Sequence, residues 1–89
     1  MDTQIVFDER TQDQAITFEG QAQEVSEGCE VNLTTDGNPV LARITEWTQD
    51  EPAVGVVTGF PGTDAEELGN LTIGATIRFE ERHILRCAA

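Results

Sequence analysis

An alternation of apolar and polar residues on both sides of a tight turn constrains this chain more than any other feature. Cys29, Val31 and Leu33 alternate with polar residues, as in a strand with one buried face. Asp36-Gly37-Asn38 follows at once and supplies residues that tolerate a positive φ, which a tight hairpin turn requires. Residues 40–47 alternate again and are partly apolar on both faces, which is typical of a central strand in a small sheet that curls on itself. The sequence therefore predicts a β hairpin at the centre of the fold.

Four further segments show β patterns of different strength. Residues 53–58 are a β-branched run that contains Gly55, where we expect a bulge or a sharp bend. Residues 75–79 alternate apolar and polar side chains and predict the last clear strand. Two shorter pieces, 5–7 and 16–18, lie in a Gln-rich part of the chain and suggest a pair of N-terminal strands. The spacing of these segments predicts a meandering sheet.

The composition supports a β-rich class. Val and Ile together number thirteen, against six for Leu and Met, and eleven Thr add further β-branched side chains. Thr63-Asp64-Ala65-Glu66 matches a capping box, so we expect at most one short helix near residues 63–68. We therefore predict a mainly β protein, with a small curled antiparallel sheet or barrel of five to six short strands. No linker or low-complexity tract divides the 89 residues, so we expect a single domain with softer N-terminal strands or a hairpin at 1–25 and a β core at 28–86.

The chain is strongly acidic. The chain carries 17 acidic residues against 5 basic ones, all of which are Arg, for a formal net charge of -12. This composition resembles that of cytosolic proteins from salt-accumulating haloarchaea, because at roughly 1 M salt the screening length falls to about 3 Å and neighbouring carboxylates hardly repel one another. The alternatives are an acidic protein of ordinary salt conditions and a mimic of nucleic acid. The charge argues against nucleic acid or acidic headgroups as partners, and the lack of a long apolar run or an export pattern predicts a soluble, cytoplasmic protein without a membrane partner.

Few residues offer catalytic chemistry. The chain has one His and a single Ser, Ser26, so no standard nucleophile, base and orienting group can be assembled. Adjacent carboxylates such as Glu66-Glu67 and Glu80-Glu81 are expected by chance among 17 acids. A small domain also has few residues with which to bury a carboxylate and raise its pKa. We therefore expect no enzymatic activity and no cofactor.

Cys29, His83 and Cys87 leave three possibilities open. A disulfide between the two cysteines would close nearly the whole folded region and be worth about 4 kcal/mol by loop-entropy arithmetic. A reducing cytosol would instead keep both as thiols, often as small buried apolar side chains. The three residues together could also supply zinc ligands, although no paired Cys spacing anchors such a site. We expect free thiols and no metal, with a zinc- or thiol-dependent protein as an alternative.

A small set of residues is the predicted binding surface. Trp47 and Phe60 stand beside turns, where a ring can reach the surface, and Trp often anchors an interface; their other role would be closure of the core. Residues 78–89 are the only segment that is not acidic, and Arg78, Arg82 and Arg86 recur there at fourfold spacing. These arginines either pair with the protein's own carboxylates or form a docking edge.

Residues 28–85 resemble a group of small bacterial β domains to which no activity is assigned. The shared features are the Trp47 strand, the valine strand with Gly55, the loop 59–62 and the closing pattern 73–79 followed by His83-Ile84. The resemblance implies a fold class and carries over no functional residue. We expect a small, halophilic, acidic β domain that acts by binding a protein partner or a second copy of itself. The alternative is an acidic mimic that inhibits a nucleic-acid enzyme.

Overall fold

The structure, a computed structural model, describes residues 7–11, 14–48, 50–69 and 71–89. Over these residues the protein is mainly β, which confirms the predicted class. The described elements are β1 (Thr17–Glu19), β2 (Glu30–Thr35), β3 (Asn38–Glu46), β4 (Ala53–Gly59), β5 (Glu67–Leu68), β6 (Leu71–Thr72), β7 (Thr76–Phe79), a 3₁₀ turn (Glu81–His83) and β8 (Arg86–Ala88).

Six of the strands form one sheet, in the order β1-β8-β2-β3-β4-β7. All neighbouring pairs are antiparallel except β1 and β8, which run parallel. The C-terminal strand β8 enters the sheet between β1 and β2, so the sheet is mixed and not purely antiparallel as expected. Over the described residues the sheet is also open, with β1 and β7 as its two edges, so of the two expected forms this part of the chain shows the curled sheet and not the closed barrel. The short strands β5 and β6 form a separate hairpin.

The predicted hairpin is formed by β2 and β3. Asp36 and Gly37 have φ angles of 51° and 78°, the two positive values that a two-residue turn of this hand requires. The turn is held from outside the hairpin, because the Gly37 N–H donates to Asp8 Oδ2 at 2.9 Å. Leu33 and Val40 face each other across the ladder and are both fully buried. The predicted position of β3 near the middle of the sheet is confirmed.

One face of the sheet carries the core. The predicted alternation holds in β2, β3 and β7, whose buried residues point to this face while their neighbours are exposed or half-buried. Phe7, which precedes all the described strands, closes the core by an edge contact to Phe79 with 6.5 Å between ring centroids. The buried set is Phe7, Cys29, Val31, Leu33, Val40, Ala42, Ile44, Ala53, Val57, Phe60, Leu71, Ile77, Phe79, Ile84 and Cys87.

Gly55 is needed for a close approach of backbone and ring. A Cβ at this position would lie 2.9 Å from the Arg43 carbonyl oxygen and 3.0 Å from Phe79 Cε1. The partner strand β3 shows register shifts on both sides of its middle, between Leu41 and Ala42 and between Ile44 and Glu46. The irregularity expected at Gly55 is thus present in the β3–β4 pair, where glycine lets the strands and Phe79 pack together.

Two further expectations were a short helix near residues 63–68 and a strand at residues 5–7. The segment 63–68 is not helical: Thr63 Oγ1 accepts from the Ala65 N–H at 3.1 Å, which makes a local turn, and the chain then enters the β5–β6 hairpin. The capping-box pattern favours a helix, but the hairpin forms instead and buries Leu71 in the core. Of the expected strand 5–7, residues 5 and 6 lie outside the described residues, and Phe7 is buried without being in a strand.

Candidate functional site

A cleft of about 710 Å³ lies along the open side of the sheet. Its walls come from the edge strand β1 with the residue before it, the segment 23–25, the connection between β3 and β4, and residues 80–82 after β7. The cleft therefore joins the edge strand β1 to the segment that follows β7, the strand at the other edge of the sheet.

The apolar lining of the cleft is formed by residues from four parts of the chain. Trp47 directly follows β3 and packs partly against the core. Phe18 on β1 is 40% exposed and is one of two large apolar side chains so exposed among the described residues. An aromatic surface open to solvent is suited to contact with an apolar or cationic group. The full apolar lining is Ile16, Phe18, Val25, Trp47 and Pro52.

The same cleft carries an acidic lining. Among the described residues five exposed carboxylates line it, those of Glu24, Asp50, Glu51, Glu80 and Glu81. Arg82 is the one cation in this described lining, and it is already paired, with its Nε 3.1 Å from Glu80 Oε2 and 3.2 Å from Glu9 Oε1. The cleft therefore has an excess of negative charge around its apolar lining and favours a positively charged occupant.

The predicted binding residues do not form one surface. Trp47 and Arg82 both line the cleft. Phe60 is only 5% exposed and belongs to the core, so the expectation of a surface ring is corrected to its alternative, core closure. Arg78 and Arg86 lie on β7 and β8, which are separated by three strands. Their fourfold spacing would align them on a helix, but it does not align residues across a sheet. Arg86 pairs with Glu19 on the neighbouring strand, as expected for an arginine that meets the protein's own carboxylates.

The two cysteines lie together and are free thiols in this structure. Cys29 is 4% exposed and Cys87 is fully buried. The Ser26 hydroxyl lies 3.3 Å from Cys29 Sγ, and this hydrogen bond lowers the pKa of the Cys29 thiol. Burial raises the pKa of the Cys87 thiol to about 11, and Cys87 Sγ donates a long hydrogen bond of 4.0 Å to the Glu24 carbonyl oxygen.

His83 is placed apart from this pair. Its Nδ1 accepts the Glu80 N–H at 2.9 Å, and its ring packs against Phe7 with 6.2 Å between centroids. Burial is the main cause that lowers the pKa of His83, with the Arg82 charge acting in the same direction. Within the described ranges, no three His, Cys, Asp or Glu side chains are grouped so as to hold a metal ion. The candidate zinc ligands Cys29, His83 and Cys87 are thus not assembled into one site.

Sequence reasoning missed most of the cleft. The lining residues Asp50, Glu51 and Pro52 are close to Trp47 in the sequence, and this proximity could have identified them as part of the same site. Phe18 and Val25 come from the N-terminal third, and only the topology brings them to Trp47.

Searches against family models, curated proteins and solved structures found no match. In the part of the chain that the structure describes, no helix has the length and apolar character needed to cross a membrane. Functional inference therefore depends on the cleft itself.

Proposed function

We propose that this protein is a small non-catalytic binding domain whose cleft holds a basic segment of a partner protein. The observation that carries the proposal is the combination, in one cleft, of an exposed aromatic lining with five carboxylates and a single, already paired arginine. Arg and Lys side chains match both features, because their apolar stems pack on rings while their charged ends reach carboxylates.

The contacts available in the cleft set an expected affinity. A cation over an aromatic ring contributes roughly 0.5–1 kcal/mol at an exposed site, and hydrogen bonds to charged groups contribute roughly 1.5–3 kcal/mol each before ordering costs. The volume of about 710 Å³ suits a few side chains and not a whole protein face. We expect a dissociation constant in the micromolar range, which corresponds to about 8 kcal/mol of binding free energy.

An enzymatic role has less support from the described side chains. Ser26, the single Ser, contacts a cysteine, and the single His accepts a backbone hydrogen bond through Nδ1. Neither residue lines the cleft. A binding role uses the groups that do line it.

We also propose that the acidic surface is an adaptation to molar salt, with the cytoplasm of a salt-accumulating cell as the setting. Among the described acidic residues all are exposed except Glu19, which is half-buried and paired with Arg86. Carboxylates that remain in contact with water are what such a coat requires.

Binding of a short Arg- and Leu-containing peptide tests the proposed function. Trp47 is the only Trp in the chain, so its fluorescence reports directly on the cleft. We expect the peptide to bind with micromolar affinity and an otherwise identical peptide with Glu in place of Arg to bind at least about tenfold more weakly, since each lost charged contact is worth over 1 kcal/mol.

Charge-neutralising variants provide the matched control. At the lowest KCl concentration at which circular dichroism shows a folded protein, the double variant Asp50→Asn with Glu51→Gln should weaken peptide binding about tenfold, whereas Glu30→Gln with Glu46→Gln, outside the cleft, should change it less than about twofold. Equal effects of the two double variants would show that only net charge matters and would contradict the cleft as the binding site. Failure to bind the peptide, together with competition against duplex DNA for a DNA-binding protein, would favour the nucleic-acid mimic instead.

A further inference from the structure

The two cysteines lie directly behind one wall of the cleft. We propose that Cys29 and Cys87 are a modification site, a dithiol that hydrogen peroxide oxidises to a disulfide and that thereby changes the shape of the cleft. The oxidation is independent of the proposed function, and only its effect on peptide binding depends on it.

The backbone places the two thiols as diagonal neighbours on one face of the sheet. Val31 on β2 is directly opposite Cys87 on β8, and Cys29 precedes Val31 by two residues. The Ile44 N–H donates to the Cys29 carbonyl oxygen at 2.9 Å, so the ladder with β3 continues past the formal start of β2 and fixes Cys29 in extended pairing. Each thiol also shifts the pKa of the other, as expected for neighbouring side chains.

The two thiols differ in the way that an attacking and a resolving cysteine differ. The Ser26 hydroxyl favours the thiolate of Cys29 and lowers its pKa, whereas burial keeps Cys87 protonated. Cys29 is also nearer to solvent, beneath the exposed residues Glu27 and Gly28. Since the thiolate is the nucleophile, oxidation begins at Cys29.

The reaction balances with peroxide as the only oxidant. The Cys29 thiolate attacks one peroxide oxygen, the O–O bond breaks and hydroxide leaves, so Cys29 becomes a sulfenic acid. The Cys87 sulfur then attacks the Cys29 sulfur, the S–S bond forms, and the sulfenic oxygen departs as water with the Cys87 proton. Two thiols are oxidised to one disulfide, and one peroxide is reduced to two waters once the hydroxide is protonated.

The disulfide changes the cleft through the segment 23–26. Glu24 accepts from Cys87 and Ser26 contacts Cys29, while residues 23–25 form a wall of the cleft. Oxidation removes the Cys87 donor. Diagonal neighbours on antiparallel strands have Cα atoms roughly 7–8 Å apart, and a disulfide spans roughly 4.4–6.8 Å. Bond formation therefore draws Cys29 toward β8 and moves the adjoining wall.

Oxidation of the purified reduced protein tests the modification. We expect stoichiometric peroxide to remove both free thiols, lower the intact mass by two hydrogens and raise the midpoint of thermal unfolding by about 10 °C or more, because the disulfide closes a long loop. Cys87→Ala should stop at a sulfenic acid at Cys29 that a dimedone probe traps, and Cys29→Ala should react far more slowly. Circular dichroism establishes that both variants are folded. Thiol loss without a mass change of two hydrogens, or disulfide-linked dimers in place of the internal bond, would overturn the proposal.

Peptide affinity before and after oxidation tests the link to the cleft. We expect the dissociation constant for the Arg- and Leu-containing peptide to change at least fivefold on oxidation of the wild type and to return on reduction, with no change in either single-cysteine variant. An internal disulfide that leaves the affinity unchanged would overturn the link to the cleft. Absence of peptide binding in both states would instead refute the proposed function, while the mass and thermal readouts still decide the modification.

Discussion

Replacement of Ile77 by Asp is the most direct test of the sheet register. Ile77 lies on the edge strand β7, opposite Gly55 on β4, and is 5% exposed within the core. Its neighbours Thr76 and Arg78 are exposed on the other face. Thr76→Asp is therefore a matched control, since it adds the same side chain to the same strand one residue away and also lowers the net charge by one.

The expected loss of stability has two parts. Removal of the buried Ile side chain forfeits roughly 1.5–3 kcal/mol. An unpaired carboxylate in the core is avoided by protonation, and holding a carboxyl with an ordinary pKa of about 3.9 neutral at about pH 7 costs roughly 4 kcal/mol. The total of roughly 6–7 kcal/mol compares with roughly 4–13 kcal/mol for the whole stability of a chain of this length. The substitution therefore removes the whole stability in the lower part of this range and about half of it at the upper end.

Thermal and urea unfolding of the two variants in molar KCl measures this difference. The folded state raises the pKa of the new carboxyl above its unfolded value, so the protonation part of the loss is small below about pH 4 and grows as the pH rises toward 7, whereas the part due to the lost Ile side chain remains at every pH. Near neutral pH we expect Ile77→Asp to be unfolded, or to unfold at a far lower temperature and urea concentration than the wild type, and we expect part of this difference to be recovered in acid, whereas Thr76→Asp stays within about 1 kcal/mol of the wild type. Similar unfolding curves for the two variants would refute the register assigned to β7.

Two further predictions concern pH and salt. The pKa of His83 is lowered in the folded state, so its contribution to stability is present above 6.5 and is lost as the pH falls below it; His83→Asn, which keeps an acceptor for the Glu80 N–H, should lose less stability than the wild type when unfolding midpoints are compared on the two sides of that value. Circular dichroism should show a β spectrum in molar KCl and a loss of structure on dialysis into dilute buffer, where 17 carboxylates repel without screening. Full folding in dilute buffer would argue against adaptation to salt.

The part of the fold that sequence patterns predict is the part built from local pairing. In β2, β3 and β7 a period of two separates buried from exposed residues, and Asp36-Gly37 specifies the turn between the first two. These features depend on residues within a few positions of one another. The alternation alone is sufficient to orient each strand toward the core.

The remaining strands depend on distant partners. β8 is three residues long and holds Cys87 as its only buried residue, so it carries too little alternation to be recognised. Its position between β1 and β2 is decided by pairing across some seventy residues of chain. The cleft has the same origin: Trp47 and Arg82 were identified, but Phe18 and Val25 join them only because β1 lies at the edge of the sheet.

Adaptation of the acidic surface to molar salt limits what the carboxylates of the cleft can contribute to binding. If the protein works in molar salt, a screening length of about 3 Å leaves the carboxylates of the cleft little reach beyond direct contact. The apolar lining around Trp47 and Phe18 must then contribute most of the affinity, since screening acts on charges and not on the burial of apolar surface. The carboxylates contribute selectivity, because they contact the charged end of an Arg or Lys side chain only after its apolar stem has packed against the lining. This division of roles predicts that raising KCl from the lowest concentration at which the protein is folded to molar concentration reduces the preference for the Arg-containing over the Glu-containing peptide, while the contribution of Trp47 to binding is retained.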